Sequence, residues 1–419
     1  MGAAPEADYP FPCETGQDMA LLNIQDPPRA DAPFSLFVLG FRPFFLAAGL
    51  FAMASIGIWM AVYEFGFSLS FSELALFQWH AHEMIYGYTL AVVAGFLLTA
   101  IRNWTGIQTW QGARLKILLL LWLAARVTLL FGDALLPLAA AFDLLFNLLL
   151  VVATTEPVLK VRQWKQVGIL AKVVLIGLFN AFFYLGLLGV LDQGVDWSLY
   201  GGLLLLIALV LAMGRRVIPF FIERGVGYPL QLTNPRWLDV SILVLFLAFS
   251  IIEVFILEPA VSGWLATALF VLSLIRLYNW HTPGIWGKPL LWGLYMALVF
   301  ITFGFLVFAL LPHITLFTRS IGFHAFAFGG IGLITLSMMS RVTLGHTGRD
   351  IQTPSPLIGL AQWLVLSGAL VRLLPTAFWP QHYSLWIALA QLLWIFGFTV
   401  FVWVNAPLLR RPRVDGAPG

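Results

Sequence analysis

The chain alternates between long apolar stretches and short breaks rich in charge, proline or glycine. The apolar stretches cover residues 41–63, 80–101, 113–131, 133–154, 167–190, 197–213, 238–257, 260–279, 289–311, 323–341, 356–375 and 384–405. They are continuous rather than alternating, which suits helices that satisfy their own backbone and does not suit lipid-facing strands. Most come close to the ~20 residues that a helix needs to cross hydrocarbon. The pattern therefore predicts an all-α, polytopic membrane protein of about twelve transmembrane helices. The tightest joins fall at 132 and 258–259. A polar tail over 1–33, a transmembrane domain over 34–409 and a short tail over 410–419 complete the expected organisation.

Composition agrees and excludes a soluble domain. Of 419 residues 60% are hydrophobic and only 10% charged, with a mean hydropathy of +0.91, whereas a soluble domain carries about 25% charged residues. The net charge of +3 matters less than where the charges sit. Breaks after the even-numbered stretches hold Arg102, Arg114 and Lys116, then Lys160, Arg162 and Lys165, then Arg215, Arg216, Arg224 and Arg236. Arg276, Lys288, Arg341 and Arg349 continue the series, and Arg410, Arg411 and Arg413 close it. Breaks after the odd-numbered stretches hold Glu64, Glu73, Asp133, Asp192, Asp196 and Glu258, with Arg319 the clear basic exception. This bias predicts cytoplasmic termini and even connections. Cys13, the lone cysteine, forms no internal disulfide and reads as a free thiol in the tail. Residues 1–33 lack the apolar core of a secretory signal. A lipid bilayer is the expected partner, and no nucleic acid is.

The histidines are few and well placed. His80 and His82 open the second stretch in Trp79-His80-Ala81-His82-Glu83-Met84, and His324 opens the tenth in Gly322-Phe323-His324-Ala325-Phe326. Both helices are expected to run inward from the outer face, so the three share a depth at which ionisable groups are costly and usually functional. Neutral imidazole is the commonest metal ligand and the usual axial ligand of haem. Residues two apart on a helix diverge by about 200°, so His80 and His82 suit two neighbouring centres better than one shared ion. Metal-free hydrogen bonding between packed helices stays equally open. Glu83 is a candidate proton relay or second-shell partner. Arg126 needs an anion: a haem propionate, Glu83 or Asp143. Asp143, Asn147, Asn180 and Glu253 are further buried polar groups with no assigned role. A continuous helix would put His346 roughly 33 Å from His324, at the cytoplasmic face. With Arg341 and Arg349 it forms either an anion, quinone or second-cofactor site or a basic loop obeying the orientation rule. His281, His313 and His382 read as interfacial residues.

Shifting the chain by 242 residues places His82 and Gly87 on His324 and Gly329, and Thr105-Gly106 on Thr347-Gly348. Each copy then enters a helix with a Trp-Leu pair and an arginine, Trp122-Leu123 with Arg126 and Trp363-Leu364 with Arg372. Helices eight apart are thereby related, which suggests a four-helix unit used three times, with Tyr200 near the outer end of the middle copy. Haem–copper oxidases have four-helix repeats of this kind, with haem ligands on their second and tenth helices. That analogy is architectural, does not establish function, and lacks that superfamily's full set of copper ligands here.

Several strings carry a closer resemblance. These are Phe41-Arg42-Pro43-Phe44-Phe45, the Trp79–Met84 run above, Ala94-Gly95-Phe96-Leu97-Leu98-Thr99-Ala100 and Asn103-Trp104-Thr105-Gly106. Further on stand Gly214-Arg215-Arg216-Val217-Ile218-Pro219-Phe220-Phe221, Lys288-Pro289-Leu290-Leu291-Trp292 and Ser340-Arg341-Val342-Thr343-Leu344-Gly345-His346-Thr347-Gly348-Arg349. Spread in order over most of the chain, they resemble the NnrS family of bacterial inner-membrane proteins associated with nitric oxide metabolism. The resemblance implies a haem- and copper-containing protein that protects against nitrosative stress. Relatives tend to carry a histidine where this chain has Tyr295, a departure that bears on metal content or activity.

Three functions are weighed. The first is a redox-active haem protein that handles nitric oxide from the outer leaflet, with possible quinol-linked reduction. In it His82 and His324 ligate a noncovalent haem b, His80 serves copper or a second haem, Arg126 neutralises propionates and Glu83 tunes a ligand or carries protons. The second is nitric oxide binding or sensing without turnover. The third is transport. No Cys-x-x-Cys-His motif is present, so any haem is noncovalent.

Overall fold

A computed structural model describes residues 35–416, and in it the twelve apolar stretches are twelve long helices, with no strand among the described residues. They are α1 (Phe41–Phe65), α2 (Leu76–Thr105), α3 (Ala113–Leu129), α4 (Leu136–Lys160), α5 (Val167–Leu187) and α6 (Gly194–Gly225). The second half comprises α7 (Arg236–Ile256), α8 (Pro259–Trp280), α9 (Pro289–Leu310), α10 (Arg319–His346), α11 (Pro356–Phe378) and α12 (Tyr383–Arg410). Eleven are long and apolar enough to cross a membrane. The exception, α3, has 17 residues, roughly 26 Å of helix, at the short end of what spans a bilayer. The expected tail over 1–33 lies outside the described residues.

Local chemistry sets the ends. Prolines at the starts of α8, α9 and α11 occupy first-turn positions where no N–H is missed. Gly66 and Gly106 end α1 and α2 in the left-handed conformation, each with φ of 70°. α6 continues beyond the expected 197–213 to Gly225, so Arg215 and Arg216 lie on helix rather than loop. Polar residues do not break a helix once it leaves the hydrocarbon, so hydropathy understates its length.

The bundle has an inner set. α2, α6 and α10, four apart in the chain, touch one another, and α1 packs on α12 to close the ring. Tyr86 of α2 donates to the Ser198 carbonyl of α6 at 2.8 Å, and the hydroxyls of Tyr88 in α2 and Thr335 in α10 meet at 2.5 Å. Of their most apolar stretches, α2 and α10 bury 83% and 78%, while α4 and α7 bury 33%, so the latter face lipid. Exposed Phe65, Trp264 and Trp379 mark the acidic rim, and Trp164, Trp237 and Tyr278 the basic one, as aromatic belts do at membrane interfaces.

The internal repeat has a structural counterpart. α2 becomes a π-helix over Glu83–Thr89, directly after His82, and α10 does so over Ala325–Gly332, directly after His324. Such turns widen a helix by one residue and often accompany functional sites. A Cβ at Gly87 would run into the Phe51 ring of α1, and one at Gly329 into the Phe300 ring of α9, so both positions need glycine for close approach.

Candidate functional site

A cavity of about 460 Å³ lies where α2, α6, α10 and α12 begin and α1 and α11 end, at the acidic rim. Its volume falls in the roughly 300–1,000 Å³ of small-molecule sites. His80 of α2 and His324 of α10 both line it, with Trp59, Tyr200, Arg319 and Arg372. His80 stacks on Trp59, 4.9 Å between ring centres and 7° between planes, and its buried Nδ1 has no hydrogen-bond partner. His324 Nδ1 lies 2.7 Å from the Ser320 carbonyl. A carbonyl only accepts, so Nδ1 carries the proton and Nε2 keeps a lone pair. Arg372 Nη2 lies 3.3 and 3.5 Å from the two ring nitrogens of His324.

His82 is elsewhere. Fully buried, it is stacked on Phe183 at 3.9 Å, with Nδ1 3.0 Å from Glu83 Oε1 and Nε2 3.0 Å from Asn180 Oδ1. Arg126 donates to Glu83 Oε1 at 2.6 Å and pairs with Asp143, which also accepts from Tyr184 at 2.9 Å. These groups knit α2, α3, α4 and α5 together, and none of them lines the cavity. The structure thus brings His324 together with His80, not with His82, and gives Arg126 two carboxylates of the chain itself. The reason is angular: side chains two apart on a helix diverge, so only one of the two histidines turns to the cavity. Both ring nitrogens of His82 are engaged inside a buried network that does not reach the cavity.

The remaining candidates are dispersed. Tyr295 donates to the Leu277 carbonyl at 3.0 Å and packs between His281 and Trp286 near the basic rim, outside the cavity. Arg341 lies over the Phe221 ring at 4.0 Å, whereas His346 packs on Phe41, 5.5 Å between ring centres. The hollow beside Arg341 measures about 10 Å³, room for about one water and not for a quinone or cofactor. α10 runs unbroken from Arg319 to His346, so His324 and His346 stand at its opposite ends. Arg319, the exception to the charge rule, donates to Glu253 at 2.7 Å and lies over the Tyr200 ring at 5.0 Å.

Two histidines are a sufficient protein ligand set for haem, because the porphyrin supplies the other four donors. Among the described residues no three His, Cys, Asp or Glu side chains are grouped to hold a metal ion, so the residues fit haem better than a copper bound by protein ligands alone. Arg372 was visible in the sequence through the repeat. Trp59 carried no signal, since its value lies in where α1 meets α2.

The chain matches the NnrS protein family over residues 35–413, and it belongs to that family. A comparison with curated proteins found no match.

Proposed function

We propose that this NnrS family member handles nitric oxide with a noncovalent haem b, which His80 and His324 would hold in the cavity. Family membership fits a nitric-oxide-related membrane protein. The observation that carries the more specific reading is the convergence of two imidazoles, from helices with matching π-turns, on one largely apolar cavity. Ser320 fixes the tautomer of His324, as outer partners of ligating histidines do. Trp59 holds the plane of His80, and most of the cavity wall is apolar. When bound, the haem would supply redox-active iron chemistry, and nitric oxide, a small apolar molecule, could reach the cavity through lipid. Transport is less favoured: α2 and α10 pass their π-turns as continuous helices, without the unwound midplane segments of transporters.

The test is optical spectroscopy with haem quantification on detergent-purified wild type, His80→Ala, His324→Ala and His82→Ala. Wild type should contain haem whose spectrum His80→Ala and His324→Ala each change or abolish, while His82→Ala keeps it. A spectrum lost in His82→Ala but kept in His80→Ala would sink this ligand assignment. Wild type that stays free of haem when haem is supplied would sink the reading itself. Nitric oxide consumption with and without a quinol then separates turnover from capture.

A further inference from the structure

The buried arginines of this protein are accommodated in different ways, two of them by carboxylates. Arg126 sits between Glu83 and Asp143, and Arg276 donates to Asp239 at 2.7 Å. Arg42 donates to the Leu409 and Arg411 carbonyls at 3.0 and 2.7 Å, at the negative end of α12. Arg341 lies against the face of Phe221. Arg372 differs. It is only 7% exposed, and its polar neighbours are the Ser320 hydroxyl at 3.1 Å, the His324 ring and the Tyr383 side chain, none of them a carboxylate. Its Nη1 is buried with no hydrogen-bond partner, and it forms no ion pair among the described residues. A buried cation without an anion is destabilising, because it gives up its hydration without a compensating charge.

The internal repeat shows what is missing. In the first unit the arginine of α3 meets Glu83, the residue after His82, and Asp143 of α4. In the third unit the arginine of α11 comes to the same turn beside His324. There the following residue is Ala325, and α12 presents Gln391, whose buried amide oxygen and nitrogen both lack partners. Where Arg126 has carboxylates, Arg372 has an alanine at the position matching Glu83, and a cavity that Gln391 also lines.

We propose that the ligand of this cavity brings the missing anion: Arg372 is a carboxylate subsite, with Gln391 a second unpaired group on the neighbouring helix. This rests on the haem reading, since a porphyrin carries two carboxylates. A guanidinium suits a carboxylate because its planar fork can donate two parallel hydrogen bonds.

The test compares iron protoporphyrin IX with its dimethyl ester, whose carboxylates are capped, by optical titration of the haem-free full-length protein in detergent. Wild type should bind the free acid at least about tenfold more tightly, the worth of one hydrogen bond to a charged group. Arg372→Gln should lower free-acid affinity to the ester's and leave ester binding unchanged. Gln391→Glu, which places an anion in the same cavity, should also reduce the preference. Equal wild-type affinities, or a free-acid preference that survives Arg372→Gln, overturn the subsite and leave the axial histidines standing. Binding of neither porphyrin overturns both. The wild-type comparison decides even where a variant fails to fold.

Discussion

His80 and His82 differ by two positions and occupy unrelated surroundings. One faces the cavity against Trp59, the other is locked into an ionic network with Glu83, Arg126, Asp143 and Asn180. The network is structural: it sits away from the cavity and ties four helices. Arg126→Leu would leave Glu83 and Asp143 as buried carboxylates without a cation, at a cost of about 3–5 kcal/mol. Replacing all three with Arg126→Met, Glu83→Gln and Asp143→Asn removes the charges together and should recover most of that loss. Unfolding midpoints in detergent check this, and a triple variant no more stable than Arg126→Leu would contradict it. The shared depth of the three histidines was legible in the sequence, because helical rise converts position into depth. Their facing was not, since it depends on helix rotation against neighbours.

Between helices, close approach decides. The start of α1 is fastened on two sides: the Phe41 N–H donates to Thr99 of α2 at 3.1 Å, and Arg42 binds the carbonyls ending α12. These contacts explain why the Phe41–Phe45 and Ala94–Ala100 strings, far apart in sequence, stand out together. Gly87 and Gly329 do the equivalent for α2 on α1 and α10 on α9. Gly329→Ala overpacks against Phe300 and should cost about 1–3 kcal/mol. Adding Phe300→Leu should restore part of the stability, and paired unfolding measurements would detect the compensation. If the two losses simply add, the contact is not what makes glycine necessary. The repeat itself was visible as a sparse match around His82 and His324. The π-turns that follow both histidines were not, because a one-residue widening leaves apolar periodicity nearly unchanged.

Across the bilayer, the two ends of the bundle differ in charge, and the cavity belongs to the acidic end. The basic bias predicts that this end faces outward. In a Cys13→Ser background, an impermeant maleimide should label Glu73→Cys in intact cells, and Lys165→Cys only after permeabilisation. The opposite pattern would invert the protein and place the cavity at the cytoplasmic side. Ligand access is then from the outer leaflet or the outer aqueous phase.

The amino-acid sequence alone determined the membrane class, the twelve helices and the relation between the second and tenth. Those properties follow from hydropathy, charge bias and spacing, which are local and nearly additive along the chain. Tertiary structure alone decided that His80 rather than His82 meets His324, that Arg126 has its own carboxylates while Arg372 pairs with none among the described residues, and that Arg341, His346 and Tyr295 go to separate places. Each of these depends on helix rotation, on a π-turn or on which neighbour occupies a side chain's partner. Such choices are made only when twelve helices pack together.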